Sequence, residues 1–362
     1  MLSKESESFL ALIRLGVGHL VYVLPDKIDW MAIQNIAERN GLSAIVLDGI
    51  DKLPPALRPP QEMLLEWIGG VLQEYEQRYV QYQKAIKGLA KFYNEHGFKL
   101  MLLKGYGLSL NYPKPDHRPC GDIDIWAFGQ QKEADEALCL WRKKLGNKLV
   151  IDDEHHHHTV FNWMDFTVEN HYDFLNVHYG HRNDSLEAVL KDKAADDSHT
   201  VDVEGQNVYL PSANLHALFV LRHMLHNFAS TGVNVRQILD WAFLIEKQGK
   251  DIDWNWLHQI LKEYHMMNFF NLINAICVED FGFDSRIFPT VQFLPALKDR
   301  VLSDILSPEF SGKTPRFFLS RAIFKYRRWQ ANAWKQDLCY ADSRWKAFWQ
   351  GVWGHLVKPS MI

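Results

Sequence analysis

Cysteine is scarce in this 362-residue sequence, and what there is lies scattered. Cys120, Cys139, Cys277 and Cys339 are far apart, and none belongs to a CxxC pair. That excludes a zinc ribbon and a disulfide framework, and makes a reducing, cytoplasmic setting the default. Long apolar runs are missing as well. No stretch of about 18–20 apolar residues occurs, so no transmembrane helix is expected. The opening residues, MLSKESESFLALIRLG, are too polar for a secretory signal. Fixed-period repeats and low-complexity tracts are absent, which argues against a solenoid. Neither sign of charge dominates: 40 Lys and Arg stand against 44 Asp and Glu. A packed, soluble core is therefore expected.

Aromatic residues are plentiful, including 13 Trp. The length allows two or three domains. Three regions separate by pattern. Residues 1–95 read as an N-terminal helical region. It has a breaker-rich connection, LPPALRPP, and then a helical pattern from Pro60 to about Glu95 with Gly97 at a plausible C-cap. Residues 96–210 read as an α/β domain. FKLMLLKG is a buried strand, GYGLSLNY a short helix after a glycine turn, and PKPDHRPC a loop. GDIDIWAF is the next strand and QKEADEALCLWRKKLG a helix. HTVFNW and DFTVENHYDFLNVHY are two further strand-like runs, joined tightly through MD. Residues 211–362 read as a C-terminal helical domain, with Ser212 and Asp253 as N-caps. The expected fold class is α+β: a mixed sheet with flanking helices plus helical domains.

The stretch LKGYGLSLNYPKPDHRPCGDIDIW, residues 103–126, carries the chemistry. In a strand, successive side chains point to opposite faces. Asp122 and Asp124 then share one face, and Ile123 and Ile125 the other. Two carboxylates on one face repel unless a cation or water lies between them. Mg²⁺ favours carboxylate oxygens together with substrate phosphates. Backbone N–H groups at the Gly105 turn suit phosphate, with Lys104 adding charge. Arg118 is a forked phosphate partner. Farther on, Glu169 and His171 share a strand face, with Asp173 continuing it.

These residues resemble a known family. A glycine turn, a GDIDI strand and a carboxylate on a neighbouring strand are similar to the DNA polymerase β-type nucleotidyltransferase superfamily. More narrowly, LLKG, YP, RPCGDIDIW, VENHY and the helices LHALFVLRHMLHN and VRQILDWAFLI resemble the bacterial uncharacterised nucleotidyltransferase family, over roughly residues 60–270. The resemblance implies transfer of a nucleoside monophosphate from an NTP, ATP favoured, to an unknown acceptor, dependent on Mg²⁺ or Mn²⁺. It implies that Asp122, Asp124 and Glu169 are catalytic and bind the metal. It implies that Lys104, Gly105, Arg118, Gly121 and His171 lie on the substrate and phosphate side. Gly105 is followed by Tyr106, where the superfamily shows Gly-Gly or Gly-Ser, and Asn170 is polar where the narrower family is apolar. The alternative is a catalytically inactive nucleotide-binding or assembly protein that keeps the fold.

Four further features are open to a plainer reading. The DDEHHHH run, residues 152–158, invites a metal reading, since histidine is the commonest transition-metal ligand, but reads rather as a solvated loop or strand start, because consecutive strand histidines point to opposite faces. His223 and His226 share a helix face and read as a satisfied pair at a helix interface, the alternatives being that they help hold a substrate or pack beneath the cleft. Arg236 and Asp240 read as an i,i+4 ion pair. The basic, Trp-rich end, with Trp329, Trp334, Trp345, Trp349 and Trp353, reads as a closing layer of the helical domain. The alternatives for it are an anionic membrane surface, or contact with a nucleic acid or an acidic carrier protein.

Overall fold

The computed structural model describes residues 2–19, 23–25, 27–153, 157–175, 181–196, 199–289, 292–310, 315 and 317–341. The chain opens with α1 (Lys4–Gly16), α2 (Trp30–Asn40) and α3 (Ser43–Asp51). A proline-rich turn then leads into α4 (Gln61–Val71), a π-helical turn over Leu72–Gln77, and α5 (Arg78–Glu95). Gly97 follows α5 with φ 78°, the left-handed stop that glycine adopts without strain.

The sheet region runs β1 (Met101–Leu102), α6 (Tyr106–Ser109), β2 (Ile123–Trp126), α7 (Gln131–Lys144), β3 (His158–Trp163), β4 (Phe166–His171), α8 (His181–Asp196), β5 (His199–Val203) and β6 (Gln206–Leu210). The six strands lie in the order β3-β4-β2-β1-β6-β5. β2 pairs in parallel with β4 and antiparallel with β1, while β1 runs parallel to β6. The expected α+β class and mixed sheet are what the fold shows. The β5–β6 hairpin and α8 go beyond the sequence reading. Glu204 and Gly205 both have positive φ at the hairpin turn, the conformation that matches strand twist in two-residue loops.

The helical part consists of α9 (Ala213–Ser230), α10 (Val235–Gln248), α11 (Trp254–Glu263), α12 (Met267–Ala275) with a π turn over Ile276–Asp280, α13 (Pro295–Leu306), α14 (Phe318–Ala331) and α15 (Ala333–Cys339). Ser212 and Asp253 cap α9 and α11 as expected, accepting from the backbone of Leu215 and Trp256. The long helical run after Asp253 breaks at His265, which has φ 59°.

Two hydrophobic cores cover the two sheet faces. One gathers Tyr82, Ile86 and Leu89 of α5 with Ile123, Ile125, Phe161, Val168 and Leu138. The other joins α1–α3 to α9–α13 and takes in Met101 and Trp126 from the sheet. Ile123 and Ile125 thus point to the α5 side, and Asp124 between them points to the α9 side. α15 packs on α9, with the Trp334 ring against Phe228 at 5.6 Å between centroids. Lys335 donates to Asp304 at 2.6 Å in a buried pair. Trp345, Trp349 and Trp353 lie outside the described residues. No helix among the described residues is long and apolar enough to cross a membrane.

Candidate active site

Alternation along β2 and the β2–β4 register build the site. Asp124 lies directly across from Glu169, and Trp126 across from His171. Partners in register point to the same face, so Asp124, Glu169 and His171 emerge together on the α9 side. The His171 Nε2 atom lies 3.3 Å from Asp124 Oδ1 and 3.6 Å from Glu169 Oε2. One potential ligand atom from each of the three falls within 4.8 Å of the others. The Lys104 ammonium, just past β1, donates to Asp124 Oδ1 at 2.8 Å. It also lies 3.4 Å from His223 Nε2 and 5.4 Å from the Phe219 ring centre.

Electrostatics follow from this crowding. Burial alone would raise the Asp124 carboxyl, but the Lys104 ammonium and the His171 hydrogen bond outweigh it and hold the group well below the ordinary range. Glu169 is also held down, first by the His171 ring beside it, against burial. For His171, burial opposes protonation, yet its bond to Asp124 and the nearby Glu169 carboxylate raise it. Asp122 moves the other way: burial, then the Glu169 and Asp124 charges, raise it. Burial and the Lys104 charge push His223 far down. A neutral His223 can accept from Lys104 through Nε2.

The sequence candidates fall into two groups. Asp124, Glu169, His171 and Lys104 come together as one cluster. Asp122 stands just before β2 at the exposed rim, near enough for its charge to be felt by the other two acids. Its carbonyl accepts from the Tyr82 hydroxyl at 3.0 Å. Gly105 has φ 47° and ψ −105°, and a Cβ there would stand 2.2 Å from that same hydroxyl. Its glycine character therefore has a steric cause in this fold. Gly121 is exposed, and a Cβ added there would meet nothing within 4 Å.

Arg118 corrects the sequence reading. It was expected to be a loop arginine facing phosphate. Instead its Nε and Nη2 donate to the two oxygens of Asp240 on α10 at 2.7 and 2.9 Å, and both side chains are about 5% exposed. The Tyr112 hydroxyl adds a third bond to Asp240 at 2.7 Å. Asp240 is thus held from across the fold, and Arg236 contributes only its field. Asp173 also departs from expectation. β4 ends at His171, and the Asp173 carboxylate accepts from Lys191 on α8. His223 and His226 separate too: His223 Nε2 lies 3.4 Å from the Lys104 ammonium, and His226 meets the Tyr340 hydroxyl at 3.3 Å. Asn170 is fully buried behind the site, where it donates to Asp135 at 2.7 Å. That acid also accepts from Thr159 and Gln131.

With this geometry in place, similarity to known proteins is decisive at the family level. The profile of the uncharacterised nucleotidyltransferase family matches residues 26–282, well over half the chain. The chain belongs to that family. The match spans β1, β2, β4 and α9, and so every residue of the candidate site. No curated protein matches the sequence. An antigenic nucleotidyltransferase-like protein from Paracoccidioides brasiliensis is similar in structure, with a TM-score of 0.32 and 13% identity. That likeness covers 50% of this chain and 87% of the other.

Proposed function

We propose that this nucleotidyltransferase family member transfers a nucleoside monophosphate from an NTP, ATP favoured, to an acceptor, and that Mg²⁺ or Mn²⁺ is required. The supporting observation is the convergence of Asp124 and Glu169 from adjacent parallel strands, with Asp122 at the rim. Carboxylate oxygens are the donors that Mg²⁺ selects, usually one or two together with substrate phosphates. The donor set therefore fits, with Asp124 and Glu169 as holders and Asp122 beside them. Imidazole is not a favoured magnesium ligand, so His171 acts here as the ring that orients both carboxylates. When bound, the ion supplies positive charge against the phosphate oxygens.

The remaining roles belong to the chain. Lys104 brings a second positive charge to the same face. It is restrained by Asp124 below and by neutral His223 beside it, and a charge held in place needs little reorganisation as charge develops on phosphate. The Tyr82 hydrogen bond to the Asp122 carbonyl fixes the backbone entering β2. Arg118 acts at one remove, since its pairing with Asp240 ties the loop before β2 to α10.

The deciding experiment is a screen of NTPs with Mg²⁺ or Mn²⁺, following pyrophosphate and labelled product. Release of pyrophosphate that needs the divalent ion supports the reading. Nucleotide binding without pyrophosphate release, across a broad set of acceptors, would favour the inactive binding protein instead.

A further inference from the structure

We propose that His157, His158 and His171 form a binding site for a borderline transition-metal ion of the Zn²⁺ or Co²⁺ class, beside the carboxylate pair. One potential ligand nitrogen from each of the three lies within 4.8 Å of the others. Ring centres are 4.2 Å apart for His157 and His158, 5.1 Å for His158 and His171, and 5.5 Å for His157 and His171.

Backbone pairing produces this convergence. His158 opens β3 directly opposite His171 on β4, so both rings share the site face. His157 lies one residue before β3, outside strand alternation. Its carbonyl accepts from the N–H groups of Tyr172 and Asp173, which fixes the turn and brings its ring to the same place. His157 and His158 do not diverge as neighbours in a strand would, because only His158 is in β3. His155 and His156 lie outside the described residues. The expected solvated character does not hold at His158, which is buried.

The chemistry separates this cluster from its neighbour. Imidazole suits zinc, copper and nickel, whereas carboxylate suits magnesium. Three protein ligands with a fourth position open is a common zinc arrangement, with Zn–N distances of about 2.0–2.1 Å. Closing three nitrogens from within 4.8 Å onto one ion is within reach of side-chain rotation. His171 is common to both clusters. An ion on the imidazoles therefore changes the partner of Asp124 and Glu169, and the two sites communicate through one ring.

The test uses full-length, metal-free protein in Mg²⁺-containing buffer. Zn²⁺ is titrated by calorimetry and Co²⁺ by visible absorbance. One Zn²⁺ per chain and the visible bands of four-coordinate Co²⁺ are expected. His157→Gln and His158→Gln should each weaken Zn²⁺ by more than about 100-fold, beyond the 10–100-fold that loss of an outer partner costs. Glu169→Gln and the His155→Ala/His156→Ala pair should retain binding. Binding that survives the His157→Gln/His158→Gln double variant overturns the proposal. So does binding lost in Glu169→Gln but kept in the histidine variants, because the ion then belongs to the carboxylates. Absence of saturable Zn²⁺ binding overturns it as well. X-ray absorption on the Zn²⁺-loaded wild type counts ligands without any substitution: three imidazoles are expected, and an oxygen-dominated shell refutes the site.

Discussion

Asp124 and Glu169 stand directly opposite each other on adjacent parallel strands, and the His171 imidazole approaches both. Two carboxylates this close are costly in a half-buried setting unless positive charge compensates them. Lys104 supplies it without a ligand, and the His171 imidazole hydrogen-bonds Asp124 beside it. A bound metal would take over part of that role.

Asp124→Asn is therefore expected to remove transfer activity. Loss of one preorganised charged group at a reacting centre typically costs about 10²–10³ in rate. Pyrophosphate release under saturating Mg²⁺ and NTP measures it. Near-wild-type turnover in Asp124→Asn and in Glu169→Gln would end the nucleotidyltransferase reading of this cluster.

The Arg118–Asp240 pair predicts a loss of stability instead of a loss of affinity. Removing one partner of a buried ion pair strands the other charge, at a cost of about 3–5 kcal/mol. Arg118→Ala and Asp240→Asn should both lower the urea midpoint strongly. NTP affinity, measured by calorimetry on protein that remains folded, should change little. An Arg118→Ala protein with a normal midpoint but weakened NTP binding would restore Arg118 to the phosphate side.

Gly105→Ala should be destabilising for two separable reasons. The left-handed backbone costs a residue with a Cβ about 1–3 kcal/mol. The new methyl would also collide with the Tyr82 hydroxyl that holds the Asp122 carbonyl. Tyr82→Phe in the Gly105→Ala background should recover part of the loss, because the nearest ring carbon lies 3.2 Å from that Cβ position. Full recovery would show that the backbone carries no strain, and no recovery would show that the collision is relieved some other way.

What was legible in the sequence was what local periodicity encodes. The Ile123–Ile125 alternation gave the opposed Ile and Asp124 faces of β2, while Asp122 lies before the strand. The bounds of β3 and the tight Met164–Asp165 turn also followed from local pattern, and Met164 has φ 54° at that turn. The β5–β6 hairpin had a readable signal, alternating TVDV and NVYL around Glu204-Gly205, but its strands are short and polar. Long-range pairing was the part that could not be read. Arg118 and Asp240 are 122 positions apart, whereas Asp116 for Arg118 and Arg236 for Asp240 offered simpler local pairings. The histidine run misled for a related reason: one residue of register decides whether its rings converge on His171.

His216 sets the last prediction. It lies on α9, 1% exposed, and its Nε2 has no hydrogen-bond partner among the described residues. Burial lowers it to about 4 from the ordinary 6.5, and the nearby Asp240 only partly offsets this. In the unfolded chain the ring takes a proton as pH falls through about 6.5, while the folded ring does so only near 4. Between these values the unfolded state binds more protons, so stability falls as pH falls, by up to about 1.4 kcal/mol per pH unit for one group. Above pH 6.5 the contribution is complete, and below 4 it is gone. His223, also pushed down, adds a slope of the same sign. Asp240 is depressed below its ordinary 3.8, so its contribution is lost only at lower pH and does not overlap. Urea midpoints at pH 7, 5.5 and 4.5, as chosen conditions, should show a shallower decline in His216→Gln than in the wild type. Identical slopes in the two proteins would mean that His216 titrates normally, and that its neighbourhood opens to water at acid pH.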